Sequence, residues 1–590
     1  MSDLRASDDL RALCETHGIA SRWHAIDGTV HDVPAETLRV LADAFDVEHT
    51  APLVDGGIEA ALREHEPLAC FVPDALREAR VWGVTCQLGS LRSARNAGMG
   101  DFADLAELCR ITARAGGDFV GLNPLHALFW SDPGRSSPFS PSNRSTLNPL
   151  YLALDWVEGA QPTRGERAEM ERLRAGDVVD LVAVHALKDA VLRRAYPGKA
   201  VTEDPVTLAH ARFEALSGRM VMEGHGAGWM SWPAEARDDE PPAAEVGYHV
   251  WLQQQAARQL DRVNREAHEA GLRIGLYLDL AVGVAPDGSA TWSDPDLTVP
   301  GIKIGAPPDP FSAEGQDWGL APLSPTVLAE RNGKPFADMM RAVMRHAGAV
   351  RVDHAMALAR LFLIPQHARA MEGAYVRYPL GALLDALAAV SRDARCIVIG
   401  EDLGVVPPGF REIMEARAMH AYKVFWFERG DDHFRDPGEW SREALACVGT
   451  HDTSTFAGWW TGHDNEVRER IGWFTPEQAA HEARIRERDR DAVRRAVGWN
   501  ENVDRQGEDV RLLSTVVHRR IARAPCRLAA VQLDDALGAR DQANMPGTTD
   551  QHPNWRRKLL VPLEDLAADA GFEAHAAVMR EERPRPEKTT

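Results

Sequence analysis

AVRVDH at residues 349–354 and CIVIGEDL at residues 396–403 are short, mostly apolar runs that each end on carboxylates, Asp353 in the first and Glu401 with Asp402 in the second. Runs of this length without strict polar alternation read as strands covered on both faces, the habit of parallel sheets. Working outward in both directions, six more runs have the same form: VWGVTCQL (81–88), DFVGL (118–122), RIGLYLDL (273–280), AYKVFWF (421–427), ACVGTHD (446–452) and CRLAAVQL (526–533). Eight such strands, joined by stretches long enough for crossover helices, predict an α/β chain folded as a (β/α)₈ TIM barrel.

The remaining stretches divide the chain around that barrel. Residues 1–70 read as a small N-terminal helical segment, with helical apolar spacing in AETLRVLADAF (35–45). Residues 71–570 are expected to form the barrel itself, the part that would carry any catalytic site. An inserted helical subdomain is expected at about 150–270, where VVDLVAVHALKDAVLRRAY (178–196) has helical periodicity. The stretch 285–325 is rich in Gly, Pro and Asp and has no period. It is expected to be a long active-site loop over the barrel mouth, and loops of this length tend to be functional. Residues 571–590, ending in EERPRPEKTT, read as a charged and frayed C-terminal tail.

Composition narrows the function classes. A formal net charge of −21 repels phosphate backbones, so nucleic acid is not an expected partner. Neutral sugars are not repelled. The 7 cysteines are odd in number, scattered and without a CxxC pair, which fits reduced thiols in a cytoplasm. The start, MSDLRASDDL, has no apolar h-region and no run reaches membrane-spanning length, so a cytoplasmic protein without a membrane partner is expected. The 16 tryptophans suit a carbohydrate site as much as a core.

Barrel enzymes carry their sites at the C-terminal ends of the strands. Here those ends hold Asp279, Asp353, Glu401 with Asp402, and Asp452. A single acid at a strand end is commonly a turn or cap residue. Several converging on one rim repel one another and need a chemical reason. Glycoside cleavage supplies one: a carboxylate attacks the anomeric carbon, and a second gives and later takes a proton. A third negative group stabilises the oxocarbenium-like transition state. Asp353, Glu401 and Asp452 fit these roles. Arg351, two residues before Asp353, shares its strand face and offers it a cation. His354 and His451 flank two of the acids and can bond sugar hydroxyls or serve structurally. A zinc or manganese site built from Asp353, His354, His451 and Asp452 is the competing reading. No HxxxH-type spacing supports it, and no metal or other cofactor is expected.

These motifs carry a resemblance. SLRS with GMGDFADL (Gly98–Leu105), GLNPLHALF (121–129), SPFSPSNR (137–144) and GLYLDLAVGV (275–284) are among them, as are GAPPD (305–309) and GQDWGL (315–320). RVDH (351–354), GEDLG (400–404), THD (450–452) and MPGTTDQHPNWRRKL (545–559) complete the set. Together, over about residues 71–565, they resemble the 4-α-glucanotransferases of the amylomaltase, or disproportionating-enzyme, family. The resemblance implies a retaining enzyme that passes a segment of an α-1,4-glucan donor such as maltodextrin to the 4-hydroxyl of an acceptor sugar. It implies Asp353 as nucleophile, Glu401 as acid/base and Asp452 as transition-state stabiliser. Asp279, Arg351, His354 and His451 are then expected around the reacting sugar, with Gln316 and Trp318 over the acceptor side. Phe139 stands where the family usually has Tyr, leaving a ring that can stack but no hydroxyl. Gly89, Ala97 and Asp317 replace a usual Tyr, Trp and Asn. An amylase-like hydrolase on the same barrel and a non-catalytic glucan-binding relative are the rival readings.

Overall fold

The computed structural model describes residues 2–25, 28–53, 56–308, 314–430, 433–499 and 509–585. Its centre is one parallel sheet of eight strands: β1 Val81–Cys86, β2 Phe119–Leu122, β3 Gly275–Leu280, β4 Ala349–Val352, β5 Ile397–Gly400, β6 Ala421–Val424, β7 Ala444–Cys447 and β8 Leu528–Gln532. Each lies within one of the eight runs read from the sequence, except that β7 begins two residues earlier. Neighbours pair in the order β5-β4-β3-β2-β1-β8-β7-β6. The sheet closes through His420, just before β6: Gly400 N–H donates to His420 O at 2.8 Å, and His420 N–H to Val398 O at 2.8 Å.

Alternation along the strands makes two cores. Phe119, Tyr277, Ala349, Ile397, Ile399, Tyr422, Leu445, Leu528 and Ala530 point inward and fill the barrel. Val120, Leu276, Leu278, Val350, Val398, Ala529 and Val531 point outward under the helices. The interior is filled by large rings, so some strand positions must be small. A Cβ at Gly121 would lie 2.6 Å from the Tyr277 ring, inside contact distance, and the glycine is what admits the tyrosine. Inward parity then carries Asp279, Arg351, Asp353 and Glu401 to the upper end of the barrel.

Three segments differ from the sequence reading. Residues 285–325 are not a structureless loop. Ile302–Ala306 and Gln316–Leu320 pair antiparallel and join Arg360–Pro365 and Ala374–Arg377 in a four-stranded sheet. Five-residue strands without clear alternation, one of them pairing outward with Arg360–Pro365 nearly sixty residues on, have no local signal strong enough to be read. Asp309, the last residue of GAPPD, lies outside the described residues.

The N-terminal segment, expected to be helical, also contains the hairpin Arg22–His24 with Val30–Asp32. It is tied to the same sheet by Ala20 N–H donating to Tyr375 O at 2.8 Å. The C-terminal stretch is no frayed tail up to Glu582. Ala570–Glu582 is a helix whose Phe572, Ala576 and Met579, spaced i, i+4, i+7, are buried. Arg583, 2% exposed, donates to the carbonyls of Val81, Ala524 and Cys526 beneath the barrel.

Between β2 and β3 the chain forms helices Arg164–Ala175, Leu181–Ala195 and Pro205–Met222, then the 28-residue crossover helix Ala243–Ala270. Glu214 in the third of these is 2% exposed. One of its carboxylate oxygens accepts Trp130 N–H at 3.1 Å, and the other is buried without a partner. Burial pushes this carboxyl up to about 8, opposed by the Trp130 hydrogen bond. The folded protein thus keeps a proton that the unfolded chain loses near its ordinary 4.5. The contribution of Glu214 to stability is therefore fully present below that value and is lost as pH rises toward 8. Glu214→Gln removes this linkage. Its stability relative to the parent is expected to improve on the order of 3 kcal/mol between pH 5 and pH 8, read by denaturant unfolding at both. A difference that does not change with pH would refute the assignment.

Candidate active site

The upper end of the barrel is organised by one guanidinium. Arg351 on β4 is buried over the Tyr422 ring, its Cζ 5.5 Å from the centroid. Its Nη1 donates to both oxygens of Asp279 on the adjacent β3, at 2.9 and 3.0 Å. The same nitrogen lies 2.7 Å from Asp353 Oδ1, and Nη2 lies 4.0 Å from Glu401 Oε2. Three carboxylates from three strands thus share one cation, which is how their mutual repulsion is offset. Among the described residues, no group of three His, Cys, Asp or Glu is arranged to hold a metal.

Backbone amides hold Glu401. Its Oε1 accepts Leu403 N–H at 2.7 Å and its Oε2 accepts His354 N–H at 2.9 Å. The second bond depends on a turn at His354, whose φ of 48° is left-handed and aims the amide back at β5. Burial pushes Glu401 up to about 7. Arg351 and the two amides pull it down, and the charge of Asp353 pushes it further up. Asp279 is likewise raised by burial, to about 6, against the pull of Arg351. Burial lowers the His354 imidazole to about 4, so it is neutral at neutral pH.

The opposite wall comes from the exit of β7. His451 Nε2 lies 3.2 Å from Asp452 Oδ2. Burial disfavours the charged imidazole, yet the neighbouring Asp452 raises His451 above its usual range. Burial likewise works to raise Asp452, and His451 and Asn544 hold it below the ordinary carboxylate range. The Asp452 side chain is 45% exposed, so solvent screens part of this coupling. The Phe139 ring stacks on His451 at 4.6 Å and 23°. On the other side, Trp318 meets His354 edge-on at 5.3 Å and 79°. Gln316 Oε1 accepts the Trp318 indole N–H at 3.1 Å. Asp317, between them, pairs with Lys303 across the hairpin and accepts Gly319 N–H at 2.9 Å.

The structure therefore brings together all ten residues singled out in the sequence: Asp279, Arg351, Asp353, His354, Glu401, His451, Asp452, Phe139, Gln316 and Trp318. Two more belong to the site and carried no spacing signal. Asn544 Nδ2 donates to Asp452 Oδ1 at 2.6 Å. Trp555 lies 5.4 Å from the rings of both Phe139 and His451. Both lie in or next to the MPGTTDQHPNWRRKL stretch, far down the chain from the acids they support, and only the fold makes them neighbours.

A closed parallel barrel with an arginine-clamped carboxylate cluster at the strand ends, one carboxyl poised near neutrality, defines an enzyme of glycoside chemistry on the α-amylase type of barrel. Comparison with known proteins specifies which. The family model for 4-alpha-glucanotransferase matches residues 86–563. The 4-alpha-glucanotransferase of Mycobacterium bovis is 36% identical over 554 residues, 84% of this chain and 74% of that protein. That of Haemophilus influenzae is 32% identical over 544 residues, 84% of this chain and 78% of that one. The amylomaltase of Corynebacterium glutamicum superposes with a TM-score of 0.83 at 26% identity, covering 98% of this chain and 99% of that chain. The amylomaltase of Streptococcus agalactiae, solved with acarbose, shares the fold at a TM-score of 0.69 and 18% identity, covering 86% and 99%. The chain belongs to the 4-alpha-glucanotransferase family, enzymes that transfer segments of α-1,4-glucan.

Proposed function

We propose that this chain works in the cytoplasm by retaining double displacement. Asp353 is the nucleophile, Glu401 the acid/base and Asp452 the transition-state stabiliser, with an α-1,4-glucan donor and the 4-hydroxyl of a sugar as acceptor. The observation that carries this reading is the pairing of unlike carboxyls around Arg351. Asp353 is in direct ion contact with the guanidinium, whereas Glu401 sits farther off and is raised by burial to about 7. Two carboxyls whose environments differ in this way divide into nucleophile and proton donor.

In the first step an Asp353 oxygen bonds to the anomeric carbon as the glycosidic C–O bond breaks, and Glu401 gives its proton to the leaving oxygen. In the second, Glu401 takes the proton of the acceptor hydroxyl, whose oxygen bonds to the anomeric carbon and releases Asp353. Asp452, Asp279 and the hydroxyl-bonding histidines face the reacting sugar. These steps need only side chains and sugars. A net charge of −21 argues against a nucleic-acid partner. Among the described residues, no helix is long and apolar enough to cross a membrane.

The same glycosyl ester can pass to water, so transfer requires that water be kept out until an acceptor arrives. The hairpin carrying Gln316 and Trp318 supports that reading, because the Trp318 indole edge closes on His354 next to Asp353. Incubation with maltotriose should lengthen chains while total reducing ends stay constant. Reducing ends rising at the rate of donor loss would make the protein a hydrolase instead. Trp318→Ala is expected to shift the partition toward water by about tenfold, equivalent to about 1.4 kcal/mol in relative barriers. If cleavage and transfer fall together with the partition unchanged, Trp318 does not exclude water.

A further inference from the structure

All 16 tryptophans are among the described residues, and Trp473 is the one that is exposed, at 42%. It lies between helices His463–Arg470 and Pro476–Val497, in the excursion that leaves the barrel rim after β7. Among the described residues, no aromatic ring stacks on it and no cation lies over it. The neighbouring Arg468 guanidinium lies over Phe474 instead. One edge of the indole packs on Gly547: a Cβ there would lie 3.1 and 3.2 Å from Trp473 Cζ2 and Cη2. Gly547 has a φ of 83°, so both its left-handed backbone and this close approach require glycine.

The turn on which the indole edge rests is rigid and leads directly to the catalytic wall. Thr548 N–H donates to Met545 O at 3.1 Å. Asn554 Nδ2 donates to Thr548 O at 3.0 Å and to Thr548 Oγ1 at 2.8 Å, while its Oδ1 accepts Met545 N–H at 2.9 Å. One residue before this turn, Asn544 bonds to Asp452 at 2.6 Å. Gly547 lies three positions after Asn544, a span of at most roughly 10 Å. A partly exposed indole, unstacked among the described residues, is thus held a short distance along the chain from the wall that carries Asp452.

We propose that Trp473 is an outer glucan-stacking residue, taking the apolar face of a glucosyl unit that lies beyond the reacting sugar, and so sets a preference for longer chains. The proposal rests on the transferase reading for its ligand. An indole face contributes affinity only to chains long enough to reach it, and leaves the binding of short ones unchanged.

The test uses protein carrying Asp353→Asn, so that binding is measured without turnover. Calorimetric titration with maltotriose and with maltoheptaose is compared before and after adding Trp473→Ala, Trp473→Leu or Trp473→Phe. Leucine keeps an apolar contact with Gly547 but has no flat face, and phenylalanine keeps a face. The Ala and Leu variants are expected to bind maltoheptaose about tenfold more weakly with maltotriose affinity unchanged. Phe should recover most of the loss. Equal affinity for maltoheptaose in the parent and the Leu variant would overturn the proposal and leave the transferase reading untouched, since the latter rests on the maltotriose product ladder. Equal weakening for both sugars would also overturn it, marking Trp473 as a brace for the Met545–Thr548 turn.

Discussion

Asp353→Asn is expected to abolish transfer, with activity down roughly 10⁴- to 10⁶-fold, while the fold survives. The amide is nearly isosteric and can still face Arg351, whose contacts to Asp279 and Glu401 remain. What is lost is the nucleophile, so no glycosyl ester forms. A second consequence separates this role from a structural one. Asp353 helps to raise Glu401, so removing its charge should lower the Glu401 carboxyl, and an NMR titration of that carboxyl should show the downward move. Near-normal turnover in a homogeneous Asn variant would remove Asp353 from its role, and a retained thermal transition would rule out misfolding as the cause of inactivity.

The second large effect is expected at Glu401. Its carboxyl, raised to about 7, must be protonated to expel the leaving sugar. For the parent protein, kcat/KM on glucan donors should therefore fall as pH rises through about 7, since the acid form is the one lost. Glu401→Gln should slow glucan donors on the order of 10²- to 10⁴-fold, the range of general acid catalysis. It should also abolish that alkaline limb. A glycosyl fluoride leaves without a proton, so its first step should be nearly spared and the enzyme should accumulate the ester on Asp353. Equal losses on both donor types, or an unchanged pH profile, would show that Glu401 does not carry the proton.

Much of this site was legible in the sequence because it obeys one local rule. Strand parity places Arg351 and Asp353 on the same face, and the barrel places strand ends at one rim. Asp279, Arg351, Asp353 and Glu401 follow from those two facts together with the eight apolar runs. Phe139, Gln316 and Trp318 came from motifs in the resemblance, and the structure brings Phe139 against His451 and Trp318, held by Gln316, against His354. Asn544 and Trp555 were missed although their stretch was recognised, because their roles arise from contact with Asp452 and His451, which lie far back along the chain. Nothing in the spacing of NMPG or PNW encodes that meeting. The hairpin within 285–325 was read as irregular because its strands are short and its first strand, Ile302–Ala306, is completed by Arg360–Pro365, outside any local window. The docking of the C-terminal helix was masked by its charge.

The sequence by itself determined the barrel, the order of its strands and which side chains enter its upper end. Those follow from periodicity and burial, which act over a few residues at a time. Only the tertiary structure decided how the carboxyls differ. Asp353 touches the guanidinium at 2.7 Å while Glu401 stands at 4.0 Å, accepts two amides and is buried beside a like charge. Proton affinity depends on desolvation and on charges summed over everything within several ångströms, and that sum does not exist until distant strands have been brought together.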